Sequence, residues 1–167
     1  MNQMTLKELY QVSYSFETSV GEGSKSERAR IAKNSSRIIL DDELTNNIMS
    51  FDKEIKFLVA GEIWCPDYQL NGSVIKKFID LNTNFDMSII TMARGKKFLE
   101  PILGIENAKY PLIVVLDNNF NILGSFEERP EIVKNSKNFD EIKLNYYKGK
   151  YLTNSANDIW SIIKNHK

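Results

Sequence analysis

The segment Trp64-Cys65-Pro66-Asp67-Tyr68 contains the one cysteine of this 167-residue chain. Ahead of it, Ile55-Lys56-Phe57-Leu58-Val59-Ala60 reads as a buried strand; behind it, Val74, Phe78, Ile79 and Leu81 mark a helical face. A thiol at a strand-to-helix junction faces unpaired backbone N–H groups and the positive end of the helix dipole, and both favour thiolate. A free cysteine titrates near about 8.5, and such sites lower that by one to several units. Pro66 suits the first helical turn, where its missing N–H would have had no partner anyway. Trp64 could shield the sulfur on one side while leaving a path for a disulfide. Asp67 opposes activation if its carboxylate points at the sulfur. The alternative is that Cys65 is simply a small buried residue, as unpaired cysteines often are. Tyr68 stands where a dithiol motif would place a second cysteine.

The flanking elements are legible from periodicity. Thr5 can cap a helix carrying Leu6, Leu9, Tyr10 and Val12, with Glu8 at capping-box spacing. Ser24 or Ser26 can start a second helix through Arg28, Ile31 and Ala32. Asp41-Asp42-Glu43 can start a third, followed by Leu44, Ile48 and Met49. Residues 1–52 therefore read as a helical extension. Beyond them a strand is expected over 55–61, a helix over 67–81, a strand over 87–91 and a short helix over 95–103 interrupted by Pro101. Leu112-Ile113-Val114-Val115-Leu116 is the clearest buried strand, and Asp117-Asn118-Asn119 turns it into a hairpin with 120–126. Helices over 131–147 and 154–165 complete a single domain, 1–167. The first two strands must be parallel because a helix crosses between them, and the last two antiparallel. The fold class is an α/β three-layer sandwich around a mixed sheet of about four strands.

Composition narrows the function. Lys plus Arg number 22 and Asp plus Glu 22, so neither nucleic acid nor a membrane surface is expected as a partner. One cysteine allows no internal disulfide, and the one histidine, His166, makes Ser-His-Asp or Cys-His catalysis and a metal site improbable. No cofactor is expected. The opening residues lack the apolar run of a signal peptide, so a cytoplasmic location is expected, with a free thiol.

Three features together resemble the thioredoxin superfamily, especially bacterial thioredoxin-like proteins with a helical N-terminal extension. They are the strand running into Trp64-Cys65-Pro66, Tyr110-Pro111 directly before a buried strand, and the Asp-Asn-Asn hairpin followed by Phe126-Glu127-Glu128-Arg129-Pro130. The resemblance implies a cis Pro111 beside the reactive cysteine, although trans prevails for X-Pro bonds in general. It also implies a Tyr110 backbone able to pair with an extended substrate. The expected site is thus Cys65 as nucleophile, with Trp64, Pro66, Asp67, Tyr68, Tyr110 and Pro111 against the substrate. Tyrosine at 68 cannot resolve a mixed disulfide, which leaves a monothiol cycle with a protein disulfide or low-molecular-weight thiol as partner. The other class is a non-catalytic thioredoxin-fold module that binds a protein or peptide. Glu62 is a weaker candidate as proton relay. Arg94 could draw an acidic substrate or pair with Asp86 or Glu62, and Arg129 could brace the last strand. The basic run Arg28–Lys33 reads first as a solvated helix face and second as a phosphate or partner patch. Phe57, Phe78 and Phe126 read as core.

Overall fold

Two runs whose side chains are almost wholly buried, Ile55–Ala60 (β1) and Leu112–Asp117 (β3), form the centre of a sheet. Their near-continuous apolar sequence, covered on both faces, makes them central strands. Phe85–Ile90 (β2) and Ile122–Glu127 (β4) flank them in the order β2-β1-β3-β4. β1 and β2 run parallel, as the helical crossover requires, and β1–β3 and β3–β4 run antiparallel. The computed structural model describes residues 3–166.

Side-chain alternation along β1 divides the core in two. Phe57 and Val59 face one layer with Phe78, Phe85, Ile48 and Ile159. Leu58 and Ala60 face the other with Leu9, Ile90, Leu99 and Val114. The first layer holds α3 (Lys25–Arg37), α4 (Asp42–Ser50), α5 (Pro66–Leu81) and the C-terminal helix Leu152–Ile163. The second holds α1 (Leu6–Gln11) and the helical stretch Met92–Leu103. That stretch comprises α6 (Met92–Arg94), a π-helical turn over Gly95–Leu99, and α7 (Glu100–Leu103). Pro101 does not break the helix, because it falls in the first turn of α7 where no N–H is needed.

The caps follow the sequence. Thr5, Ser24 and Asp41 each accept the backbone N–H three residues on, and Ser24 with Glu27 closes a capping box. Four departures occur. Ser15 caps a further helix, α2 (Phe16–Gly21), too short to show a period. The region 131–147 is two helices, α8 (Glu131–Lys134) and α9 (Phe139–Tyr147), separated by a turn, with Leu152–Ile163 as α10. Strand β2 starts at Phe85, not Met87. Val12 and Met49 are exposed, because each lies at the end of its helix beyond the packed face. Tyr14 exchanges two backbone hydrogen bonds with Ile89 and so covers the β2 edge, which would otherwise offer unpaired groups. Among the described residues no helix is long and apolar enough to cross a membrane, and no cluster of three His, Cys, Asp or Glu side chains could hold a metal.

Candidate functional site

The register sets Ala60, the last residue of β1, opposite Leu112, the first of β3. Tyr110-Pro111 therefore arrives at the same sheet end as the loop that leads from β1 to Cys65. The Tyr110-Pro111 bond is cis. The Gly61 N–H donates to the Ile90 carbonyl (3.1 Å), the Cys65 N–H to that of Glu62 (3.0 Å), and buried Gln69 donates Nε2 to that of Ile63 (2.7 Å). Three hydrogen bonds thus hold a five-residue loop whose ends are a strand and a helix cap.

Cys65 is the N-cap of α5 and Pro66 its first residue. The sulfur makes no capping hydrogen bond, although the Tyr68 and Asp67 N–H groups at the helix start favour the thiolate. Burial nevertheless pushes the thiol up from its ordinary value, and the carboxylates of Asp67 and Glu128 push in the same direction. For Cys65, 7% exposed, desolvation thus acts against the helix-activated thiolate expected from the sequence and outweighs the helix start. Trp64, 56% exposed, and exposed Pro66 bracket it with open apolar surface.

Tyr68 does not face a substrate. It is fully buried, and its hydroxyl hydrogen-bonds Ser19 Oγ of α2 at 2.8 Å. Its ring fills the space beneath Gly61, where an added Cβ would lie 2.4 Å from Tyr68 Cδ1. The side chain in the second-cysteine position thus joins the N-terminal helices to the sheet. Asp67 is turned inward as well. Its Oδ1 accepts from Arg129 Nε (3.0 Å) and from the Tyr146 hydroxyl (2.8 Å).

Arg129 therefore does more than brace a strand. Its guanidinium stacks 4.0 Å above the Phe139 ring, donates to the Tyr147 hydroxyl (3.2 Å) and lies 3.6 Å from Glu128. Asn71, one turn along α5 from Asp67, donates to the Glu128 carbonyl (2.9 Å) and accepts from Ser155 (2.7 Å). Glu128 sits at a left-handed φ of 66°, which costs about 1–2 kcal/mol. Its N–H donates to the Pro111 carbonyl (2.8 Å), tying the Arg129 turn to the start of β3. Glu128, Asn71, Tyr146, Tyr147 and Ser155 were not among the expected site residues. The signal available for one of them was Asp67 and Asn71 at i and i+4, polar residues on one face of the buried first half of α5.

Tyr110 donates its hydroxyl to buried Glu100 at 2.6 Å, and burial with that carboxylate raises the phenol well above its usual value. Among the described residues the Tyr110 backbone N–H and carbonyl have no protein partner. Gly95 lets the ring approach, since a Cβ there would lie 2.7 Å from Ala60 and 2.9 Å from Tyr110. Arg94 pairs with neither Asp86 nor Glu62. Its Nη1 reaches the Val12 carbonyl (3.5 Å), while Asp86 accepts the Tyr10 hydroxyl (2.8 Å). Phe57, Phe78 and Phe126 are core.

A thioredoxin family model matches residues 13–143. The chain belongs to that family. The match takes in α2 to α4 as well as the sheet, so it extends well beyond the cysteine loop. A protein of unknown function from Pseudomonas aeruginosa has 31% sequence identity over 97% of this chain and 98% of its own, with a TM-score of 0.91. An HIV epitope-scaffold has 31% identity over 98% of this chain and 100% of its own, also with a TM-score of 0.91. Among curated proteins, none matches. The sheet order and the helices on both faces are those of a thioredoxin-like fold, and this member of the family has one cysteine.

Proposed function

We propose that this thioredoxin-family protein exchanges thiols and disulfides through Cys65 alone. The observation that supports it is the sulfur at the N-cap of α5, flanked by exposed Trp64 and Pro66. The Cys65 thiol gives its proton to solvent, and the thiolate attacks R–S–S–R′. A Cys65–S–S–R bond forms, the S–S bond of the substrate breaks, and R′–S⁻ leaves and takes a proton from water. An external thiol, as R″–S⁻, attacks the R sulfur; R–S–S–R″ departs and the Cys65 thiolate is restored. The partner is a protein disulfide or a low-molecular-weight thiol, and the unpaired Tyr110 backbone is suited to an extended substrate. Because burial and two carboxylates hold the thiol protonated, attack is slow at neutral pH and accelerates as pH rises.

The second reading is a peptide-binding thioredoxin without turnover. The raised thiol and the use of Tyr68 as a core side chain favour it. The two separate when the native protein is treated with 2,2′-dipyridyl disulfide, an uncharged reagent, and then with a small thiol. The exchange reading expects one pyridyl adduct at Cys65 by mass spectrometry, discharged by the added thiol. An adduct that forms only in urea refutes exchange and leaves the binding module.

A further inference from the structure

Arg30, Lys33 and Arg37 recur at intervals of three and four along α3 and therefore share a face. That face looks across a cleft. With Pro66 at the start of α5 and Lys148 after α9, the three side chains wall a space of about 460 Å³. Four cations line it and no carboxylate does. Among the described residues none of the four makes an ion pair, whereas Lys76, Arg129 and Lys134 all do.

Asn34 supplies a second, independent observation. It lines the same cleft and is only 6% exposed. Every polar side-chain atom sealed from solvent among the described residues has a partner. The Asn34 amide has none, so it opens onto the cleft. With no protein partner, the amide is satisfied from the cleft, by water or by a ligand group that replaces it.

We propose that this cleft binds an acidic segment of a partner polypeptide, with carboxylates against Arg30, Lys33, Arg37 and Lys148 and an amide or carbonyl against Asn34. Pro66, the residue after Cys65, is part of the wall, and Tyr147, also in the lining, lies within electrostatic reach of the sulfur. The cleft therefore places an acidic flank next to the site while leaving the Tyr110 edge free. The inference stands on the cleft whether or not Cys65 turns over. A polypeptide fits better than a nucleic acid. The chain has no net charge, the basic surface of the cleft is confined to four side chains, and a single aromatic residue there gives no row of stacking platforms.

The test uses the full-length Cys65→Ser protein, so that failure of thiol chemistry cannot affect it. A fluorescein-labelled octapeptide of Glu and Gly is titrated by anisotropy beside its Gln and Gly counterpart. The Glu peptide is expected to bind, more weakly as salt rises, and the Gln peptide is not. Lys33→Glu with Lys148→Glu, both exposed positions, is expected to weaken binding by about fivefold or more. Asn34→Leu is expected to weaken binding while the urea midpoint holds or rises, a combination that a purely structural asparagine would not produce. Unchanged affinity in the charge-reversed variant, or equal binding of the Gln peptide, overturns the proposal. So does displacement of the peptide by an equal concentration of inorganic phosphate, or tighter binding of a single-stranded oligonucleotide.

Discussion

Replacing Asp67 with asparagine is expected to make the protein less stable and its thiol more reactive. The carboxylate has two effects of opposite sense. It holds Arg129 Nε at 3.0 Å and the Tyr146 hydroxyl at 2.8 Å, and its charge pushes the Cys65 thiol up. Asparagine keeps the shape and the accepting oxygen but removes the charge. A hydrogen bond to a charged group contributes about 1.5–3 kcal/mol, roughly twice a neutral one. Removing one partner of a fully buried pair costs about 3–5 kcal/mol. Here Arg129 keeps Glu128 at 3.6 Å and its stacking on Phe139 at 4.0 Å, so the guanidinium is not abandoned. The expected loss is about 2 kcal/mol, within what a domain stable by about 5–15 kcal/mol tolerates. The thiol responds in the other direction: with the neighbouring negative charge gone, its inflection moves to lower pH. Urea unfolding measures the first effect, and iodoacetamide alkylation of Cys65 as a function of pH measures the second. An unchanged urea midpoint would show that the Asp67–Arg129 pair does not hold the site. An inflection that stays or rises would show that the Asp67 charge does not reach the sulfur.

Three further outcomes follow from the same geometry. Gly61→Ala drives a Cβ to 2.4 Å from the Tyr68 ring and is expected to cost about 1–3 kcal/mol in urea unfolding. Adding Tyr68→Leu should recover part of that loss, and strict additivity of the two changes would exclude the contact. Tyr110→Phe takes the hydroxyl donor from buried Glu100 and should lower stability by about 1–3 kcal/mol. Because burial raises the Cys65 thiol, the unfolded chain loses this proton at a lower pH than the folded one. The stabilisation from Cys65 is thus complete below the unfolded value of about 8.5 and lost as pH rises through the folded value. Urea midpoints should fall over that window in the native protein and less in Cys65→Ser; parallel profiles would count against the raised thiol.

The elements were readable because their signals are local. Apolar runs mark β1 and β3, the Asp-Asn-Asn turn marks the hairpin, and Thr5, Ser24 and Asp41 mark helix starts. Where the signal was weak the reading failed. The six-residue α2 is too short to show a helical period, and the turn between α8 and α9 carries no proline or glycine. The partner of Arg129 was illegible for a different reason. Asp67 lies 62 positions away, and only the sheet register and the packing of α9 bring the two together.

By itself the sequence determined that sulfur chemistry, if any, uses a single thiol at a strand-to-helix junction, and that Tyr110-Pro111 opens a buried strand. Covalent identity and local pattern are enough for that. Only the tertiary structure shows the balance at the thiol, because its burial and the charge of Glu128 come from distant parts of the chain and, with that of neighbouring Asp67, act against the local helix start. It also decided that Tyr68 is a core side chain bonded to Ser19, and that the cations of α3 meet Lys148 across a cleft beside Pro66. Such juxtapositions join residues tens of positions apart, and no period or spacing along one segment encodes them.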